Sequence, residues 1–269
     1  MPTSPFLSIR GLGKNFAERR WWGPPRAGTP AFRNVTLDLD RGRTLGLVGP
    51  SGSGKSTLAR CLAFFEAPSC GEIWLEGRNL WNLSRRERRA MRAQIQLIFQ
   101  EPAASLNPRF TAAQIITEPL LIQRRGTRRT RRERASEWME MVGLSRHAAR
   151  TPALEFSGGE RQRLAIARAL VLSPKLLILD ESFSGLDLSV QAQVADLLSD
   201  LQKRLGLTSI LISHDLTLVA HLADEIAVMD HGSVVEHAGT AELLARPRHP
   251  RTKELLDASL ALTPGGPPV

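Results

Sequence analysis

The chain has 269 residues, 42% of them hydrophobic, enough apolar material for a substantial core without help from metals or disulfides. Its net charge of +9 admits nucleic acid, anionic lipid headgroups or phosphorylated small molecules as partners. Its two cysteines, Cys61 and Cys70, form no CxxC pair for a metal or redox site and suit a reducing compartment.

Residues 1–10 carry neither a basic n-region nor an apolar h-region, and no apolar run approaches the ~18 residues that cross a bilayer. In chain order, residues 6–12 and 32–39 read as strands, with Phe32, Val35, Leu37 and Leu39 set mostly among polar neighbours. Between them, Ala17–Pro30 is rich in Gly, Pro, Arg and Trp and reads as a loop. Thr44–Val48 forms a strand feeding a glycine-rich loop, and Lys55–Phe65 the helix after it. Glu72–Leu75 and Gln94–Phe99 read as strands on either side of a basic helix at Arg85–Arg92. From Pro102 to Arg150 the pattern is helical, with Ile115, Ile116, Leu120 and Leu121 on one face and Trp138, Met141 and Val142 on another. A helix after Ser157, a strand at Lys175–Leu179, a helix over Val190–Leu205 and strands at Ser209–Ile212, Glu225–Met229 and Ser233–Glu236 follow. The alternation predicts an α/β layer architecture with an inserted helical subdomain at about 101–167. The tail Thr263–Val269 reads as disordered.

Two arginine clusters, Arg85–Arg92 and Arg124–Arg134, carry much of the excess charge and read first as solvated helix faces. They lack the interleaved aromatics of a base-stacking surface. The second is also of a kind that anionic headgroups attract.

Gly49-Pro50-Ser51-Gly52-Ser53-Gly54-Lys55-Ser56 matches G-x-x-x-x-G-K-S, with a strand before it and a helix after it. Glycines let backbone N–H groups converge on phosphate oxygens, and the helix start adds a positive dipole. Lys55 brings a point charge to the β- and γ-phosphates of ATP, Ser56 a hydroxyl to Mg²⁺, and Thr57 reaches the α-phosphate. Lys175–Glu181 is an apolar strand ending in two carboxylates. Asp180 is placed to hold Mg²⁺, usually through water, and Glu181 to polarise an attacking water. Ser157-Gly158-Gly159-Glu160 opens a helix and makes a second anion-binding N-terminus. Gln100 and His214 each follow a strand, where the amide would sense Mg²⁺ and water and the imidazole would donate to a γ-phosphate.

The order Lys55, Gln100, Ser157, Asp180, Glu181, Asp187, His214 resembles the ATP-binding subunits of ABC transporters, over about residues 6–258. The resemblance implies a RecA-like P-loop NTPase core, a small antiparallel β subdomain and a helical signature subdomain. The ATP-binding domain would span 1–258 and a disordered tail 259–269. It makes Gln100 the Q-loop residue, Ser157–Glu160 the signature, Ser184–Asp187 the D-loop and His214 the switch histidine. Phe16 is expected to stack on adenine, with Trp21 and Trp22 in reserve. It further implies head-to-tail pairing, in which each P-loop is completed by the other subunit's signature.

Phe99–Arg109, Glu118-Pro119-Leu120, Leu188–Val194 and His249–Lys253 are similar to the dipeptide, oligopeptide and nickel importer ATPases. There two different ATPases pair, and this chain resembles the second, F-type member. The implied partners are a second ATPase (a homodimer is the alternative), two permease subunits and, indirectly, an external binding protein. The implied place is the cytoplasmic face of the membrane, with peptide uptake first and nickel uptake second. A soluble ABC ATPase acting on nucleic acid is the reading from another class, opposed by the single ATPase unit and the importer-like stretch. The chain departs from the family pattern at Glu160, where Gln is commoner, at Ser182 in place of Pro, and at Gly185 in place of Ala. Glu160 is expected to face solvent or an arginine such as Arg161 or Arg163. No cysteine lies in 236–269, so the iron–sulfur ligands of some relatives are absent.

Overall fold

The computed structural model describes residues 5–16, 28–99, 105–183 and 185–261. In chain order the elements are β1 (Leu7–Asn15), β2 (Pro30–Leu39), β3 (Thr44–Val48), α1 (Lys55–Leu62), β4 (Cys70–Leu75), β5 (Arg78–Asn79) and α2 (Arg85–Arg92). They continue with β6 (Ile95–Ile98), α3 (Ala112–Ile122), α4 (Arg128–Met141), α5 (Gly158–Leu170), β7 (Leu176–Asp180) and α6 (Leu188–Leu205). The last are β8 (Thr208–Ile212), α7 (Leu216–Leu222), β9 (Glu225–Asp230), β10 (Ser233–Gly239), α8 (Thr240–Ala245) and α9 (Pro250–Ala261). Two compact units result, one of residues 1–88 with 208–269 and one of 89–207.

In the first unit, β3 is buried at all five positions, and such a continuous apolar run belongs to a strand covered on both faces. It pairs in parallel with β8 on one side and β9 on the other, and β10 adds an antiparallel edge to β9. Gly46 lies at its centre because a Cβ there would stand 2.1 Å from Val219 Cγ1 of α7. The second sheet of this unit, in the order β2-β1-β4-β5, is antiparallel. From Val35 on, β2 alternates, with Val35, Leu37 and Leu39 inward. An irregularity at Arg33–Asn34 (Asn34 φ 50°) separates them from the buried Phe32. Pairing with β2 carries β1 to Asn15, beyond the expected end at residue 12, and Pro30 opens β2 rather than closing a loop. A strand's end is set by its partner's reach, which local pattern does not contain. Residues 17–27 of the expected loop, with Trp21 and Trp22, lie outside the described residues.

In the second unit, β6 and β7 run parallel, with Ile98 beside Leu179. Helix α3 packs on α4 and α5, burying Ile115, Ile116 and Leu120. Leu121, expected on that face, is instead exposed, as is Ile122. On α4 the buried side chains are Ala135, Trp138 and Met139, whereas Met141 is only half-buried. Helix α5 runs to Leu170, and α9 runs to Ala261, through the first residues of the expected tail. Residues 263–269 are outside the described set.

Candidate active site

In the first unit the buried β3 ends at Val48 and delivers residues 49–54 as a tight loop capped by α1. Ser53 N donates to Pro50 O at 3.2 Å, closing the turn. Gly49 has φ 149° and a Cβ there would stand 2.1 Å from Met229 O; Gly54 has φ 101° and would place one 2.5 Å from Ala31 O. Only glycine passes between these backbones. Lys55 is nearly fully buried, and its ammonium donates to Gly49 O (2.8 Å), Pro50 O (2.9 Å) and Ser53 Oγ (3.3 Å), so it stands over the loop it belongs to.

The first N–H groups of a helix have no intrahelical acceptor. At α1 the N-cap is Gly54, which has no side chain to cap them, and no acid stands in the first turn. A glycine cradle, a helix N-terminus and a buried cation are together fit for a chain of phosphates.

The turn carrying His214 leaves the same sheet edge. Leu47 pairs with Ile212 across the parallel β3–β8 ladder, and Ser213 N donates to Leu47 O at 3.3 Å. His214 is exposed, and the next residue caps α7, Asp215 Oδ1 accepting from Thr217 N and Leu218 N at 2.9 and 3.1 Å. Phe16, just past β1, is 44% exposed with the Lys14 ammonium 4.9 Å from its ring centroid.

In the second unit Asp180 closes the fully buried β7 and is itself 4% exposed. Glu181 follows with φ 46°, left-handed backbone that costs a non-glycine residue about 1–3 kcal/mol and persists only where its surroundings enforce it. Ser182 is buried with no hydrogen-bond partner for its hydroxyl among the described residues. The parallel β6–β7 register brings Phe99 and Asp180 out at one edge. Gln100 and Ser184 lie outside the described residues.

Ser157 is the N-cap of α5, and Glu160 has a role there beyond the expected exposure to solvent. Ser157 Oγ accepts from Glu160 N at 3.3 Å while Glu160 Oε2 accepts from Ser157 N at 2.8 Å. The carboxylate therefore turns back onto its own helix start, still partly open to solvent, instead of pairing with Arg161 or Arg163. The signal was in the sequence as S-x-x-E, the reciprocal capping box, which satisfies two helix-start donors at once. Gly158 lies 3.8 Å (from its would-be Cβ) from Leu186, and a Cβ at Gly159 would stand 2.6 Å from Val190 Cγ1, so α6 presses on this helix start. Asp187 caps α6, Oδ1 accepting from Val190 N (2.9 Å) and Ser189 Oγ (2.7 Å), and these bonds hold its carboxyl below the usual range. Sequence reasoning missed Arg168, whose guanidinium donates to Ser105 O (3.0 Å) and Oγ (2.8 Å) and so anchors α3's approach to α5.

A strand, glycine loop and helix around a buried lysine, in a chain with another buried strand leading into Asp180-Glu181, define a P-loop ATPase. The family model described as ABC transporter matches residues 32–184, and the chain belongs to that family as an ATP-hydrolysing subunit. It is 46% identical over 258 residues to a Brucella ovis protein named for peptide import, covering 96% of this chain and 80% of that one. It is 44% identical over 261 residues to the dipeptide transport ATP-binding protein DppF of Escherichia coli, covering 97% and 80%. The dimeric, post-hydrolysis structure of the ATP-binding cassette MJ0796 with ADP and Pi matches with a TM-score of 0.75 at 27% identity, over 87% of this chain and 98% of that one. Among the described residues no helix is long and apolar enough to cross a membrane.

Proposed function

We propose that this chain is the ATP-hydrolysing subunit of a peptide importer, held at the cytoplasmic face of the membrane by two permease subunits and paired head-to-tail with a second ATPase. The observation that carries the substrate is the likeness, at 44–46% identity over nearly the whole chain, to proteins named for peptide and dipeptide import. The relatives' names point to peptides and give nickel no support; nucleic acid has no part in this reading.

In this reading Lys55, with backbone N–H groups of Ser51–Thr57, holds the phosphates of ATP, and Phe16 stacks on adenine. Ser56, Asp180 and Gln100 supply the oxygen donors that Mg²⁺ prefers, Asp180 through water. A cation held there would supply charge neutralisation to the phosphates of ATP. Glu181 takes a proton from the attacking water, and His214 donates to the γ-phosphate. Ser157, Gly158, Gly159 and Glu160, with Asp187, serve the nucleotide of the partner subunit.

The test has two arms. Phosphate release by the chain with its partner ATPase should fall more than ~100-fold on Glu181→Gln, and unchanged turnover would remove Glu181 as the base. Cells expressing the complex should take up labelled dipeptide in a Lys55-dependent way. Lys55-dependent nickel uptake without peptide uptake would overturn the substrate.

A further inference from the structure

Helix α3 ends at Ile122 and α4 starts at Arg128, so residues 123–127 make a tight turn, with Arg124 (φ 55°) and Gly126 (φ 71°) in left-handed backbone. This one tip exposes two large apolar side chains, Leu121 at 60% and Ile122 at 57%. Around them the stretch from Arg124 to Arg134 holds seven arginines and a single acid, Glu133. That acid is taken by Arg129 at 2.9 Å. Arg125 and Arg131 turn inward to backbone oxygens, at Leu172 (3.4 Å) and Gly126 (2.8 Å). Arg124, Arg128 and Arg132 are exposed and have no ion pair among the described residues.

Folding alone gives no reason for this arrangement. The first turn of α4 has no acid, so its arginines press positive charge onto the positive end of the helix dipole. Arg128 and Arg132, four apart, repel on one face. Charge set against the stability of its own helix, beside apolar side chains set in water, is consistent with an external surface that is anionic outside and apolar beneath.

We infer that the α3–α4 tip is a lipid-binding surface, its free guanidinium groups on the phosphates of anionic phospholipids and Leu121 and Ile122 entering the headgroup–acyl boundary. Nucleic acid fits less well. It would meet the charge but leave the exposed Leu-Ile pair unused, and Trp138, the one aromatic of α4, is buried and unavailable for stacking. The inference does not depend on the transported substrate.

Flotation of the full-length chain with phosphatidylcholine vesicles, with and without phosphatidylglycerol, tests it. Binding is expected on the anionic vesicles only. Arg124→Gln/Arg128→Gln/Arg132→Gln should weaken it on the order of 100-fold, about fivefold per arginine. Leu121→Ser/Ile122→Ser should weaken it about tenfold while keeping its salt dependence. All five side chains are exposed, so thermal melting should show both variants folded. Equal flotation on the two vesicle types, or a triple variant that binds like the parent, would overturn the inference. So would displacement by an oligonucleotide together with no effect of the Leu-Ile change, which would make the tip a nucleic-acid surface.

Discussion

Gly49 and Gly52 sit in the same loop, both with positive φ, yet substituting them should have different consequences. At Gly52 (φ 79°) nothing lies within 4 Å of an added Cβ, so Gly52→Ala meets only the cost of left-handed backbone, about 1–2 kcal/mol. At Gly49 (φ 149°) the same methyl would stand 2.1 Å from Met229 O, and a strand carbonyl in the interior of a sheet cannot swing aside. Backbone strain of about 1–3 kcal/mol and overpacking of about 1–3 kcal/mol then add to about 2–6 kcal/mol. The gap between the variants should appear as a melting difference of about 2–4 °C for each kcal/mol in a chain of this size class. Scanning calorimetry on both variants, with titration of a fluorescent ATP analogue, provides the measurement. If the two melt at the same temperature, the contact with β9 does not constrain the loop and the reasoning fails.

Glu160→Ala should cost about 1 kcal/mol by removing one arm of the α5 capping box, whereas Glu160→Gln, able to make the same bond, should melt close to the parent. Denaturant midpoints would show it, and equal losses would mean the charge rather than the bond matters. Burial alone would raise the Glu236 carboxyl, but bonds from Thr252 Oγ1, His249 N and Arg248 N outweigh it and leave it below its ordinary value of 4.5. A depressed carboxylate contributes stability above that ordinary value and loses it as pH falls through the folded-state value. Glu236→Gln should therefore flatten the acid limb of a urea-midpoint against pH curve, and an unaltered limb would count against the link between β10 and α9. Burial pushes the Cys61 thiol up to about 12, while Cys70 is exposed. A thiol reagent at mildly alkaline pH should titrate one cysteine in the native chain and two after denaturation; two in the native chain would contradict the burial of Cys61.

The P-loop was legible because everything it needs is local. A five-residue apolar strand, glycines at fixed offsets and a lysine at the helix start are read within one short stretch, and Lys55 folds back onto carbonyls only five and six residues away. The same holds for Asp180 and Glu181 at the end of β7. The capping role of Glu160 has an equally local signal in S-x-x-E, which a view of its charge beside a phosphate does not contain.

Other features had no local signature. Leu121 is not one of them: at 3.6 residues per turn it lies roughly opposite the face of Ala112, Ile115, Ile116 and Leu120, so its exposure follows from the helix itself. The amino-acid sequence by itself determined the strands, the phosphate loop, the paired carboxylates and the order of motifs that marks the family, since these rest on backbone dihedrals and short-range periodicity. Tertiary structure alone decided why Gly46 must be glycine beneath α7, why Gly49 must pass Met229, and where Glu236 ties down α9. Each of these is a contact between segments far apart in the chain, where a difference of one methyl group or one carboxylate is resolved only by what the fold brings alongside it.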